Sequence, residues 1–108
     1  MNDKRRIGLK KLIKQLEDLY GKLEELKSDS EEISAAIEEY NDKEEEAYDK
    51  LPESLQESAK GERMQERIES LESAIEQVDY IDIEEPLNYI EMTIDYINEA
   101  IVKDKAAE

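Results

Sequence analysis

Cysteine, histidine, tryptophan and phenylalanine are all missing from the 108-residue chain. Without them there is no disulfide framework, no thiolate or imidazole metal site, no cysteine or histidine nucleophile pair, and little aromatic surface for stacking bases. Three glycines and two prolines are too few for an all-β fold made of many tight turns. No uncharged apolar stretch approaches the roughly 18 residues that a membrane span needs. The opening Met1-Asn2-Asp3-Lys4-Arg5-Arg6 is not followed by the apolar core of a signal peptide. The expectation is therefore a protein with no membrane association, and the lack of cysteine fits the cytoplasm.

Charge is what the chain has in excess. Charged residues make up 43% of it, with 31 acids against 15 bases and a net charge of −16. High net charge with few aromatics is the signature of disorder, but here the apolar residues are regularly spaced. From Leu9 they recur at Leu12, Leu16, Leu19, Leu23 and Leu26, in alternating steps of three and four. Ser30 interrupts the chemistry without changing the count. Ile33, Ile37 and Tyr40 continue the phase, and after Glu44 it closes on Ala47 and Leu51. This period predicts one long helix with a coiled-coil seam, widened on one flank by Ile13 and Tyr20. Ser28-Asp29-Ser30 before Glu31-Glu32 resembles a capping pattern, yet the unbroken phase favours continuity.

Pro52 ends that helix, because its ring cannot continue it and it pushes Leu51 towards extended geometry. A turn with one short helical turn follows, and Gly61 is the next punctuation. The spacing restarts at Met64 with Ile68, Leu71, Ile75 and Val78, and again at Ile83 with Leu87, Ile90, Ile94, Ile97 and Ile101. The step of five between Val78 and Ile83 predicts a break or kink within 79–86, with Asp82 or Glu85 capping a new helix and Pro86 in its first turn. Lys103 and Lys105 suit the negative end of the last helix.

The fold expected is all-α: one domain over 1–108 built as a long antiparallel helical hairpin, with one arm at 3–50, a turn at 51–61 and a kinked second arm at 62–104. Two helices leave each seam half covered, so either a dimer forming a four-helix bundle or a kinked second arm folded back into a three-helix bundle is expected, the dimer being preferred. The seam for that association is assigned to Leu9, Leu12, Leu16, Leu19, Leu23 and Leu26, with Ile90, Ile94, Ile97 and Ile101 on the second arm.

Residues 1–14 carry Lys4, Arg5, Arg6, Lys10, Lys11 and Lys14 against Asp3 alone, a net of +5. In an antiparallel hairpin these bases lie beside the acidic C-terminal arm and offset its charge. Between Arg67 and Lys103 there are ten acids and no base. Glu69, Glu72 and Glu76 follow seam residues by one position, and Glu91, Asp95 and Glu99 step by four. Like charges so placed repel by a few tenths of a kcal/mol per pair, roughly 0.2–0.5. Carboxylates one turn apart stand about 6 Å apart along the axis, near the spacing of phosphates on a nucleic-acid strand.

A row of this kind fits a basic groove, and direct nucleic-acid binding is disfavoured by the same charge. With Asp79 and the tyrosines Tyr89 and Tyr96, seven residues apart on one face, these acids are the candidate contact residues. The plainer account of both features is a solvated acidic face with tyrosines packed at a seam edge.

Other chemistry is weakly represented. Asp79, Asp82, Glu84 and Glu85 lack the central glycine of a calcium loop. Glu44-Glu45-Glu46 and Glu62 with Glu66 are the only hints of a magnesium-dependent helical nucleotide hydrolase, and such runs are common in acidic helices. No phosphate-binding loop is present, and no cofactor is implied.

The segment Leu51-Pro52-Glu53-Ser54-Leu55-Gln56-Glu57-Ser58, then Gly61-Glu62, Met64, Ile68, Leu71 and Ala74-Ile75, resembles small acidic proteins encoded by phages and prophages of Gram-positive bacteria. The basic opening and the acidic heptads are also similar, whereas Tyr80 to Pro86 departs from the pattern. The resemblance carries over no catalytic residues. It implies a context in which small acidic proteins bind and block host factors, including defence nucleases. With the charge map, the expectation is a non-enzymatic protein that binds and modulates a basic host protein. The competing expectation is an assembly protein whose function is oligomerisation.

Overall fold

A computed structural model describes residues 2–107, and their side chains through residue 103; Lys105 lies outside the described side chains. About 90% of the chain is helical, and no strand occurs among the described residues. The helices are α1 (Asp3–Asp49), α2 (Glu53–Gln56), α3 (Ala59–Asp79) and α4 (Glu84–Ala107). They are organised in two units, one comprising 1–27 and 82–108 and the other 28–81. α1 contributes to both units.

α1 begins at Asn2, whose Oδ1 accepts from Arg5 N at 2.9 Å, an N-cap arrangement. It runs for 47 residues, about 70 Å at 1.5 Å per residue. The Ser28–Ser30 segment is helical, so continuity prevails over the local capping pattern.

In the first unit α4 runs antiparallel to the start of α1. Tyr20 OH donates to Glu91 Oε1 at 2.8 Å, and Lys27 Nζ meets Glu84 Oε1. The basic opening and the acidic last helix therefore share one unit. Leu87, Ile90 and Ile101 are buried, and Ile83, Ile94 and Ile97 are half-buried, so the three-four spacing of α4 is its packing stripe.

On α1 the packed residues are Arg6, Leu9, Ile13, Leu16, Tyr20, Leu23 and Lys27, all half-buried. Of the seam expected from sequence, Leu9, Leu16 and Leu23 are in this stripe. Leu12, Leu19 and Leu26 are not; they stay 48%, 47% and 54% exposed. Both sets repeat every seven residues on either side of the shared Leu9–Leu16–Leu23 row. α4 covers the flank with Ile13 and Tyr20 because the phenol of Tyr20 and the ammonium of Lys27 find carboxylates there.

The second unit packs α3 against 28–49. Ser34 and Asn41 are the buried positions of α1, and Gly61 and Met64 those of α3. Ser34 Oγ donates to Asp79 Oδ1 at 3.0 Å, and Arg67 Nε stands 3.7 Å from Glu44 Oε2. This interior is more polar than that of the first unit. Asn41 Oδ1 has no hydrogen-bond partner, and its Nδ2 reaches Glu45 Oε1 at a long 3.5 Å.

The corner between α1 and α3 is specified closely. Leu51 N donates to Tyr48 O at 3.0 Å as α1 ends, and Pro52 is extended, at φ −56° and ψ 146°. Gln56 Nε2 donates to Tyr48 O and Leu51 O at 3.1 and 3.2 Å, covering carbonyls the helix end leaves open. Ser58 caps α3, accepting from Gly61 N at 3.5 Å. Gly61 lies so near the Gln56 carbonyl that an added Cβ would stand 2.0 Å from its oxygen.

The expected break lies at 80–83. Tyr80 N and Ile81 N close the end of α3 onto Glu76 O and Val78 O, at 3.2 and 3.0 Å. Asp82 Oδ1 accepts from Glu85 N at 3.4 Å and opens α4, with Pro86 in its first turn. No described helix is long and apolar enough to cross a membrane.

Candidate interaction surfaces

Every acid named from the sequence as a candidate contact residue is exposed. Glu69, Glu72, Glu76 and Asp79 belong to the second unit, and Glu91, Asp95 and Glu99 to the first.

On α3, Glu69, Glu72 and Glu76 share the edge beside Ile68 and Ile75, as helical geometry requires of those positions. Glu76 Oε1 accepts from Tyr80 OH at 2.9 Å, which holds the last carboxylate of the row at the end of the helix. Asp79 turns inward to Ser34. It closes the helix pair and is the least available of the four.

On α4, Glu91 is held by Tyr20, and Glu99 accepts a charged contact from Lys103 at 3.0 Å. Asp95 is exposed between them. The Tyr20 phenol is pushed above its ordinary value of 10.0, mainly by its hydrogen bond to Glu91, then by desolvation and the negative charges of Glu91, Glu24 and Glu84. A local field of one sign is the cause common to the last of these effects.

Tyr89 and Tyr96 are 60% and 65% exposed, and Tyr89 OH donates to Glu85 Oε1 at 2.9 Å. They occupy the flank of α4 away from Glu91, because a separation of two or five residues carries a side chain to the other flank of the stripe. The tyrosines and Glu91 therefore belong to different edges of α4.

Sequence reasoning missed Ser34, Asn41 and Gln56 as contact-forming residues. Tyr20 was placed on the flank of the seam, and only the structure supplies its partner Glu91. Ser34 and Asn41 carry no apolar signal, and only the partner helix reveals that they are enclosed.

An open groove of about 530 Å³ is lined by Tyr40, Lys43, Glu44, Arg67, Ser70 and Leu71. Lys43 Nζ lies 5.4 Å from the Tyr40 ring centre, a cation–π distance. Glu44 Oε2 is shielded from solvent and has no hydrogen bond, and its 3.7 Å approach to Arg67 is a purely ionic contact. Among the described residues no three acidic side chains converge into a group that could hold a metal ion. No family model matches the chain, and no curated protein or solved structure is significantly similar to it.

Proposed function

We propose that this chain is a non-enzymatic interaction protein that presents an acidic helical surface to a basic protein. The observation that carries the reading is the row Glu69, Glu72 and Glu76, exposed along one edge of α3 in a stretch where ten acids follow one another without a base. A helix holds these carboxylates at fixed spacing, so their mutual repulsion is maintained in the folded protein and is relieved by a cationic partner. The spacing of about 6 Å per turn suits a groove that otherwise follows a phosphate backbone, which makes a nucleic-acid-binding protein the preferred partner class.

The resemblance of residues 51–75 to phage and prophage proteins supports a further step: a phage-encoded inhibitor or modulator of a host factor such as a defence nuclease, acting in the host cytoplasm.

The test is capture of basic proteins from a host lysate by the intact chain and by a Glu69→Lys, Glu72→Lys, Glu76→Lys variant, at low and high salt. The reading requires capture that weakens with salt and is lost in the variant at unchanged helicity. Capture indifferent to both would overturn it. A second reading, assembly through the helices themselves, is favoured by the uncovered leucines of α1.

A further inference from the structure

We infer that the face of the first unit bearing Leu12, Leu19 and Leu26 is an interface for a second copy of this chain, with the two α1 helices antiparallel and the two-fold axis beside Leu19. The inference deepens the assembly reading and is independent of the acidic row on α3.

Three observations converge on that face. Leu12, Leu19 and Leu26 repeat every seven residues, as do the residues with which α1 receives α4. A surface of that period matches another helix of the same kind, since the a and d positions of a coiled coil recur every seven residues. Tyr20 and Glu91 mark the opposite edge of the pair. In an antiparallel pair, helical geometry then places Tyr89 and Tyr96 on the same side as the three leucines. The result is a two-helix layer with an apolar centre and tyrosines at its rim, the half-structure that a second identical layer completes into a four-helix bundle.

Charge chooses both the occupant and its direction. Within this part of α1, residues 3–14 carry +5 and residues 15–27 carry −2. A parallel copy would set the basic segments side by side. An antiparallel copy centred on Leu19 sets Leu12 opposite the second copy's Leu26, and Lys11 near the second copy's Glu25. Self-complementarity of this kind is what a two-fold interface demands.

The chain has no cysteine, so single-cysteine variants give unambiguous crosslinks. Leu12→Cys and Leu26→Cys proteins are mixed, allowed to exchange and oxidised, while mass in solution is followed by sedimentation. The expected result is a dimer that yields the mixed 12–26 disulfide in excess of either like pair. The Leu19→Glu variant should weaken the dimer at least about a hundredfold at unchanged helicity, because two apolar contacts are lost and two carboxylates meet at the axis. Lys11→Glu should also weaken it, and adding Glu25→Lys should restore it. A dimer giving only like-pair disulfides overturns the antiparallel arrangement. A dimer indifferent to Leu19→Glu overturns the face but leaves assembly standing. A monomer at every concentration overturns both.

Discussion

Replacing Gly61 by alanine should destabilise this protein, although the same change at Gly8 or Gly21 should stabilise it. All three glycines lie inside helices, where alanine is the better residue by up to about 1 kcal/mol. At Gly8 and Gly21 an added Cβ meets nothing within 4 Å, so the propensity gain of roughly 0.5–1 kcal/mol should be realised in full. At Gly61 the Cβ would lie 2.0 Å from the Gln56 oxygen and 2.5 Å from its carbonyl carbon, about 1.4 Å short of ordinary contact at 3.4 Å.

The obstacle is backbone, and it is held. Gln56 N donates to Pro52 O at 3.0 Å, and the Gln56 side chain grips Tyr48 O and Leu51 O. Opening the corner must disturb those bonds or lift α3 away from α2. Overpacking of a well-filled site costs about 1–3 kcal/mol. Against the propensity gain, Gly61→Ala should lose about 1–2 kcal/mol net. Urea denaturation of the three variants, followed by far-ultraviolet circular dichroism, measures all of this on one scale. A Gly61→Ala protein at least as stable as the parent would refute the close approach of α2 and α3. Destabilisation at Gly8 or Gly21 would show that those positions are covered in solution.

Asn41 is 7% exposed with an unsatisfied Oδ1, so Asn41→Leu should raise stability by about 1 kcal/mol, seen as a higher urea midpoint. Gln56→Ala should cost about 1 kcal/mol by uncovering the carbonyls of Tyr48 and Leu51, and Gln56→Glu should not restore it, because a carboxylate accepts and does not donate. The Tyr20 phenol is raised above 10.0, so the folded state holds that proton more tightly than the unfolded one. Its contribution is complete below about pH 10 and is lost as the pH climbs through the folded value. Phenolate absorbance should show one of the six tyrosines titrating late, and Tyr20→Phe should remove that component.

The unusual composition of the stretch from Leu51 to Met64 has a physical explanation in the corner. Pro52 ends a helix, Gln56 closes its carbonyls, Ser58 caps the next, Gly61 permits the approach and Met64 fills the space beneath. These demands are local and stringent, which is why the stretch is distinctive while the acidic heptads on either side are not. Such a signature reports on how the chain turns. The acidic-surface reading itself rests on the carboxylates of α3.

By itself the sequence determined the all-helical class, the end of the first helix before Pro52, the break after Asp79 and its capping by Asp82, because each follows from short-range geometry: a missing donor, a slipped period, a side chain three residues from an open N–H. Which flank of α1 receives α4 was a tertiary decision. Leu9, Leu16 and Leu23 are flanked by apolar residues on both sides, and period alone does not distinguish Ile13 and Tyr20 from Leu12, Leu19 and Leu26. The choice depended on what stood opposite: Glu91 for the Tyr20 hydroxyl and Glu84 for Lys27. The same long-range pairing enclosed Ser34 and Asn41 and divided the acids between two units, since a helical wheel records where a residue points and not which helix it meets.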